Sequence, residues 1–161
     1  MFLAFMARGD KVYYELLDGH MTTQQYKRIV RYRCVPALKA LNGGTLEGIT
    51  WTQDGAPPHR EHSVIEYLEG QFGDRLYALG SQQGEEWPPR SPDLNPLDFW
   101  AWGYLKMKVF SYPQPRTLQE LKARIRAEIQ ALTPAMIREA CLRGFKRRLD
   151  KVILAEGGDI E

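Results

Sequence analysis

Ile49-Thr50-Trp51-Thr52-Gln53-Asp54-Gly55-Ala56-Pro57-Pro58-His59 is the stretch on which the fold of this chain turns. Residues 48–53 are β-branched and aromatic enough for a short strand, and Asp54-Gly55 stops it. A carboxylate therefore stands at the carboxyl end of a strand, the edge where open α/β sheets bind ligands. Upstream, residues 2–6 and 12–17 are apolar, aromatic-rich runs around the turn Ala7-Arg8-Gly9-Asp10, which predicts a β-hairpin. Thr22 and Gln25 have capping-box spacing. Tyr26, Ile29, Val30, Leu38 and Leu41 then recur at helical intervals up to Asn42-Gly43-Gly44, with a kink or restart expected at Pro36. Downstream, residues 61–72 carry Val64, Ile65, Leu68 and Phe72 on one helical face, and residues 75–79 form another short strand. The order is β-β-α-β-α-β.

Beyond this point the texture changes. Residues 80–96 are rich in Gly, Pro and Ser and form a loop. They lead into a helix over residues 97–110 that is dense in aromatics. Thr117 with Glu120 opens a helix striped by Leu118, Leu121, Ile125, Ile129 and Leu132. Thr133-Pro134 opens a last helix that runs toward Leu154 and stops at Gly157-Gly158. Residues 1–161 thus read as a single mixed α/β domain: sheet and helices over 1–79, a loop over 80–96 and a helical section over 97–161.

Composition narrows the class. At 161 residues, 43% hydrophobic and 26% charged, the chain can enclose a core, which excludes wholesale disorder and collagen-like architecture. No apolar run approaches the ~20 residues of a membrane helix, and the opening MFLAFM breaks too early for a signal-peptide core, so a soluble intracellular protein is expected. Two distant cysteines, Cys34 and Cys141, offer neither a disulfide framework nor a metal cluster. The net charge of +2 hides an asymmetry: residues 104–151 carry 12 Lys/Arg against 4 Asp/Glu, a net +8, whereas residues 1–103 carry −3. Clustered cations of this kind fit a polyanion partner through counterion release, or form a solvated helix face.

Two carboxylates are candidates for chemistry. Asp54 follows its strand directly, and Asp98 lies in the first turn of a helix, where the dipole favours an acid. Each also has a plain structural reading, Asp54-Gly55 as a turn and Asp98 as a capping residue. His59 either orients this region or serves as a supporting histidine, and His20 and His62 read as surface residues. Trp87, Trp100, Trp102 and Tyr104 could stack on bases, but at helical spacing beside Leu97 and Leu105 Trp100 and its neighbours read as core. Pro88-Pro89-Arg90-Ser91-Pro92 stiffens the loop that presents Asp98, or mimics a polyproline ligand.

The wording around the two acids carries a resemblance. Thr52-Gln53-Asp54-Gly55-Ala56-Pro57-Pro58-His59, followed by Trp87-Pro88-Pro89-Arg90-Ser91-Pro92-Asp93-Leu94-Asn95-Pro96-Leu97-Asp98-Phe99-Trp100, closely resembles the catalytic domain of Tc/mariner-type transposases. In that family an Asp-small-Ala stretch ending in His bears the second catalytic acid, and a Ser-Pro-Asp-Leu-Asn-Pro stretch leads to the third. Phe145-Lys146-Arg147-Arg148-Leu149-Asp150-Lys151-Val152-Ile153-Leu154 is similar to the family's C-terminal helix, and the hairpin is similar to its second and third strands.

The resemblance implies a ribonuclease-H-like mixed sheet flanked by helices, with Asp54 and Asp98 each holding a Mg²⁺ or Mn²⁺ ion for DNA cleavage and strand transfer. The basic residues Arg90, Lys106, Lys108, Lys146, Arg147 and Arg148 are the candidate DNA contacts, largely non-specific. The resemblance adds a nuclear location and leaves room for a homodimer. The family's first catalytic Asp lies upstream of the hairpin and has no match here; Asp10 and Asp18 do not occupy its position. The first strand and the helix-turn-helix domains are unmatched as well. The expectation is thus a truncated or decayed catalytic domain that is inactive alone, with a non-catalytic nucleic-acid- or protein-binding module as the alternative. Asp54 and Asp98 are separated by 43 residues, more than in the best-known members.

Overall fold

The computed structural model describes residues 2–7, 11–17 and 19–156. The hairpin turn at residues 8–10, Asp10, Asp18 and the expected helix stop at Gly157-Gly158 lie outside them. The chain divides into two compact units, Leu17–Arg90 and Phe2–Leu16 with Ser91 onward, so it passes from one to the other after Leu16 and again after Arg90, inside the Gly/Pro/Ser-rich loop.

In the first unit, helix α1 (Thr23–Ile29) begins with the expected capping box: the Gln25 N–H donates to Thr22 Oγ1 at 3.2 Å and the Thr22 N–H to Gln25 Oε1 at 2.9 Å. Pro36 does not break the helix. A π-helical turn, Val30–Cys34, leads directly into α2 (Val35–Leu41), with the Val35 N–H donating to the Val30 carbonyl five residues back. Pro36 has no N–H to give, and the widened turn accommodates its ring without interrupting the helical path. Tyr26, Val30, Cys34, Val35 and Leu38 are buried along it. Helix α3 (His62–Phe72), capped by Glu61, buries Val64, Ile65, Leu68 and Phe72 as its periodicity requires.

The two strands of this unit are shorter than expected. Strand β3 is only Trp51–Thr52 and pairs in parallel with β4 (Leu76–Tyr77), in the register Trp51↔Leu76 and Thr52↔Tyr77. The residues before β3 are drawn into a turn, because Arg75 Nη1 donates to the carbonyls of Leu46 at 2.5 Å and Ile49 at 3.0 Å. A side chain thus takes acceptors that a neighbouring strand would otherwise use. Beyond β4, Glu85 forms a parallel bridge with Tyr77 on the edge of β4 away from β3, so the loop returns to flank the ladder. Gly84 makes this possible, since a Cβ there would collide with the backbone of Leu76.

In the second unit, β1 (Phe2–Ala7) and β2 (Lys11–Leu16) form the expected antiparallel hairpin, with Phe5 opposite Tyr13 and their rings stacked 4.7 Å apart. Ser91 leads through a 3₁₀ turn (Pro92–Leu94) and a π-helical turn (Leu97–Ala101) into α4 (Trp102–Val109). Helix α5 (Leu118–Gln130) opens with the Thr117–Glu120 capping box. Helix α6 (Pro134–Arg138), a π-helical turn (Glu139–Gly144) and α7 (Phe145–Leu154) then follow as one path.

The core of this unit includes Leu94, Ala101, Leu105, Val109, Ile129, Leu132, Ile137 and Ala140. Trp100, Trp102 and Tyr104, expected in the core, are half-buried. The buried face is Ala101-Leu105-Val109 at four-residue spacing, which leaves those rings at its sides. Leu118 is exposed at the first turn of α5, so the apolar stripe there buries only its C-terminal half.

The described strands form two two-stranded ladders, β3-β4 in the first unit and β1-β2 in the second. No strand among the described residues pairs with both. No described helix is long and apolar enough to cross a membrane.

Candidate active site and basic face

Asp54 lies two residues beyond β3, at its carboxyl end as the sequence predicts. It is held by a network that the sequence did not reveal. Gln53 is buried, and its backbone N–H donates to the Tyr77 carbonyl at 3.0 Å, one step past the ladder. Its side-chain Oε1 accepts from the Tyr26 hydroxyl at 2.8 Å and from Trp51 Nε1 at 3.2 Å, while Nε2 donates to the His59 carbonyl at 2.8 Å. One amide thereby ties α1, β3 and the loop after Asp54 together. Burial pushes the Tyr26 phenol well above its ordinary pKa, so it remains a donor.

The loop closes on Asp54. Its Oδ1 accepts from the Ala56 N–H at 3.1 Å and lies 2.5 Å from His59 Nδ1. The hydrogen bond from His59, supported by the Ala56 N–H and by the imidazole's charge, holds the Asp54 carboxyl below the usual carboxylate range despite its partial burial. An ionised carboxylate only accepts, so Nδ1 carries the proton. The imidazole stacks on the Tyr26 ring with centroids 4.2 Å apart. His59 is thus the side-chain partner of Asp54. Its side chain is 18% exposed and that of Asp54 46%, so the acid opens to solvent while its partner is covered. Oδ2 of Asp54 accepts no hydrogen bond among the described residues.

Asp98 occupies the opening of the π-helical turn Leu97–Ala101, exposed and in its first turn. Asn95 organises it: Nδ2 donates to Asp98 Oδ2 at 2.7 Å, Oδ1 caps the Leu97 N–H at 3.1 Å, and the Asn95 carbonyl accepts the Asp98 N–H at 2.9 Å. The Asn-Pro step before a helix was the available sequence signal for this cap. Asp54 belongs to the first unit and Asp98 to the second. No group of three or more His, Cys, Asp or Glu side chains gathers as a metal site among the described residues.

The basic candidates are exposed or rim positions. Arg90 is exposed with a left-handed backbone (φ 57°), and Lys106 and Lys108 line the exposed side of α4. On α7, Lys146 pairs with Asp150 at 3.0 Å, Arg147 pairs with Glu139 at 3.0 Å, and the Arg148 guanidinium lies 4.5 Å from the Phe99 ring centroid. Exposed ion pairs of this kind contribute little, about 0–1 kcal/mol, so they leave the cations available to a stronger anion. His20 and His62 are exposed.

The Mos1 transposase catalytic domain, solved with raltegravir and Mn, matches 99% of this chain and 76% of its own with a TM-score of 0.78 at 17% sequence identity. The chain has the fold of the mariner transposase catalytic domain. The Mos1 mariner paired-end complex with Mn matches with a TM-score of 0.75 at 19% identity, over 96% of this chain and 43% of that one. The Mos1 paired-end complex with the left transposon end gives 0.75 at 18% identity, over 99% and 44%. No protein-family model and no curated protein matches the sequence. The transposase resemblance read from the two motifs is thus borne out at the level of the fold, a mixed α/β one.

Proposed function

We propose that Asp54 and Asp98 are two metal-binding carboxylates of a mariner-type centre for DNA cleavage and strand transfer, a centre that takes Mg²⁺ or Mn²⁺. The observation that carries this reading is the state of Asp54. It is ionised, fixed through Oδ1 by His59 and Ala56, and open to solvent beyond them. Such an oxygen donor suits a hard divalent cation, and the second acid, Asp98, is likewise held by a neighbouring amide. Bound ions would supply activation of the attacking oxygen and stabilisation of the leaving one.

The chain's own residues do the positioning. Gln53 and Tyr26 fix His59, His59 keeps Asp54 charged and oriented, Asn95 steers Asp98, and the basic residues of α4 and α7 hold the DNA backbone without reading its sequence. The centre requires Asp54 and Asp98 to converge, and residues 1–161 bring no counterpart of the family's first acid. Nicking by this chain alone is therefore expected at background. Action on DNA implies a nuclear location, and the fold is compatible with a homodimer.

Calorimetric titration of Mn²⁺ into the chain tests the reading. Weak binding that Asp54→Asn and Asp98→Asn each reduce supports it, and identical isotherms for all three proteins overturn it. In a plasmid assay, robust nicking abolished by Asp98→Ala would show that the chain supplies a bridging acid of its own.

A further inference from the structure

A groove of about 530 Å³ opens on the second unit immediately after Asp98, walled by Phe99 and Trp100 on one side and by Arg147, Arg148 and Lys151 of α7 on the other. We propose that this groove binds an unpaired DNA strand, its bases stacked on the aromatic wall and its phosphates on the cationic one. The DNA part of this inference rests on the function proposed above. The single-strand part rests on the groove itself.

Three observations point the same way. First, the wall is aromatic and incompletely covered: Phe99 and Trp100 are half-buried, and Trp100 stacks on Tyr104 with centroids 5.8 Å apart, so the indole is held as a platform. Second, the facing side is cationic, with Glu139 its one acid, and Glu139 already accepts from Arg147 at 3.0 Å and Arg143 at 3.4 Å. Arg148 meets no carboxylate among the described residues and lies over Phe99 instead, a guanidinium–ring stack of the kind that extends onto a base. Third, the volume falls within the roughly 300–1,000 Å³ of small-ligand sites, which admits nucleotide units between the walls, whereas a double helix reaches only the cations at the rim. Duplex bases hide their faces in the stack, whereas an unpaired strand presents them. An apolar peptide would not use the cations, and a duplex would not use the rings.

Gly144 lies at the end of the π-helical turn before α7, and a Cβ there would come within 3.5 Å of the Phe99 ring and 3.3 Å of the Glu139 carbonyl. The contact with the ring would be an ordinary one, so the close neighbour at this position is the Glu139 carbonyl, and the glycine adds no bulk to the lining of the groove.

The test needs no variant in its first arm. Fluorescence anisotropy with the intact chain should show a twelve-nucleotide oligo(dT) binding at least fivefold more tightly than an abasic strand of the same length and charge. Equal affinities would overturn the proposal. Trp100→Leu should then reduce the oligo(dT) affinity about tenfold, as the loss of one base stack predicts, while leaving duplex and abasic-strand affinities within twofold; Trp100→Phe should restore most of it. A base-dependent preference that survives Trp100→Leu would place the stacking elsewhere and overturn the assignment. The Mn²⁺ titrations of Asp54→Asn and Asp98→Asn read the metal site without reference to bases, so the two readings can fail separately.

Discussion

Replacing Gln53 by Leu should cost far more than any surface change in the first unit, and the network specifies how much. Tyr26→Phe removes one donor, but Gln53 Oε1 keeps the Trp51 bond at 3.2 Å, so nothing buried is orphaned and the cost is about 0.5–1.5 kcal/mol. Gln53→Leu strands the Tyr26 hydroxyl, on a residue only 4% exposed, at about 1–3 kcal/mol, and removes the bond from Trp51 Nε1 as well, at about 0.5–1.5 kcal/mol, or about 1.5–4.5 kcal/mol together. In the Tyr26→Phe background that orphan no longer exists. The second change should then cost about 1–3 kcal/mol less, a coupling within the range seen for residues sharing a network. Urea titrations of the four proteins, followed by far-UV circular dichroism, measure the cycle. Gln53→Leu should also release the His59 carbonyl, loosen the imidazole against Asp54 and return the Asp54 pKa toward its ordinary value, readable by carboxyl-carbon NMR. A Gln53→Leu variant no less stable than Tyr26→Phe, or a cycle that sums without coupling, would refute the claim that one buried amide holds this corner together.

Three further outcomes follow from other parts of the molecule. Because His59 first, and the Ala56 N–H second, depress the Asp54 carboxyl, the native state binds that proton less readily than the unfolded chain; the stabilisation is complete above the ordinary Asp value of about 3.9 and is lost as pH falls through the lower native one. The advantage of wild type over Asp54→Asn in urea midpoint should shrink in that acidic window, and an advantage that persists to the lowest pH would contradict it. Changing Lys146, Arg147 and Arg148 to Gln should flatten the log-affinity against log-salt slope for duplex DNA by up to about 3, at roughly 0.9 per phosphate contact, and an unchanged slope would make the run a solvated face. Gly84→Ala should destabilise by about 1–3 kcal/mol, since the new methyl meets the Leu76 backbone rather than a side chain able to swing aside; a neutral result in thermal unfolding would mean that the Glu85 bridge contributes nothing.

What the sequence reveals here is local. Thr22, Thr117 and Thr133 announce helix starts because a cap is decided within four residues, and the α3 face is legible because one 3.6-residue period runs unbroken through it. Strand β3 reads longer in the sequence than it is, because the residues before it are claimed by Arg75, 26 to 29 residues away, reaching across to the carbonyls of Ile49 and Leu46. Asp54 and His59 can be picked out as a motif. The support behind them cannot, since Tyr26 resembles any other apolar position on its helix and Gln53 any polar residue ending a strand. Likewise, the burial of Ala101 rather than Trp100 follows from a widened turn that leaves the apolar pattern almost unchanged.

That widened turn bears on how related chains should be compared. From Leu97 to Trp102 the hydrogen bond spans five residues instead of four, so the helix after Asp98 holds one residue more than a uniform α-helix would need for the same path. Each residue turns an α-helix by about 100°, so a relative that lacks the extra residue would point its aromatic pair a quarter-turn or more away from where Phe99 and Trp100 point. An alignment of such chains should therefore carry a one-residue gap inside this helix, where gaps are ordinarily forbidden. The loop before it can gain or lose several residues at little energetic cost.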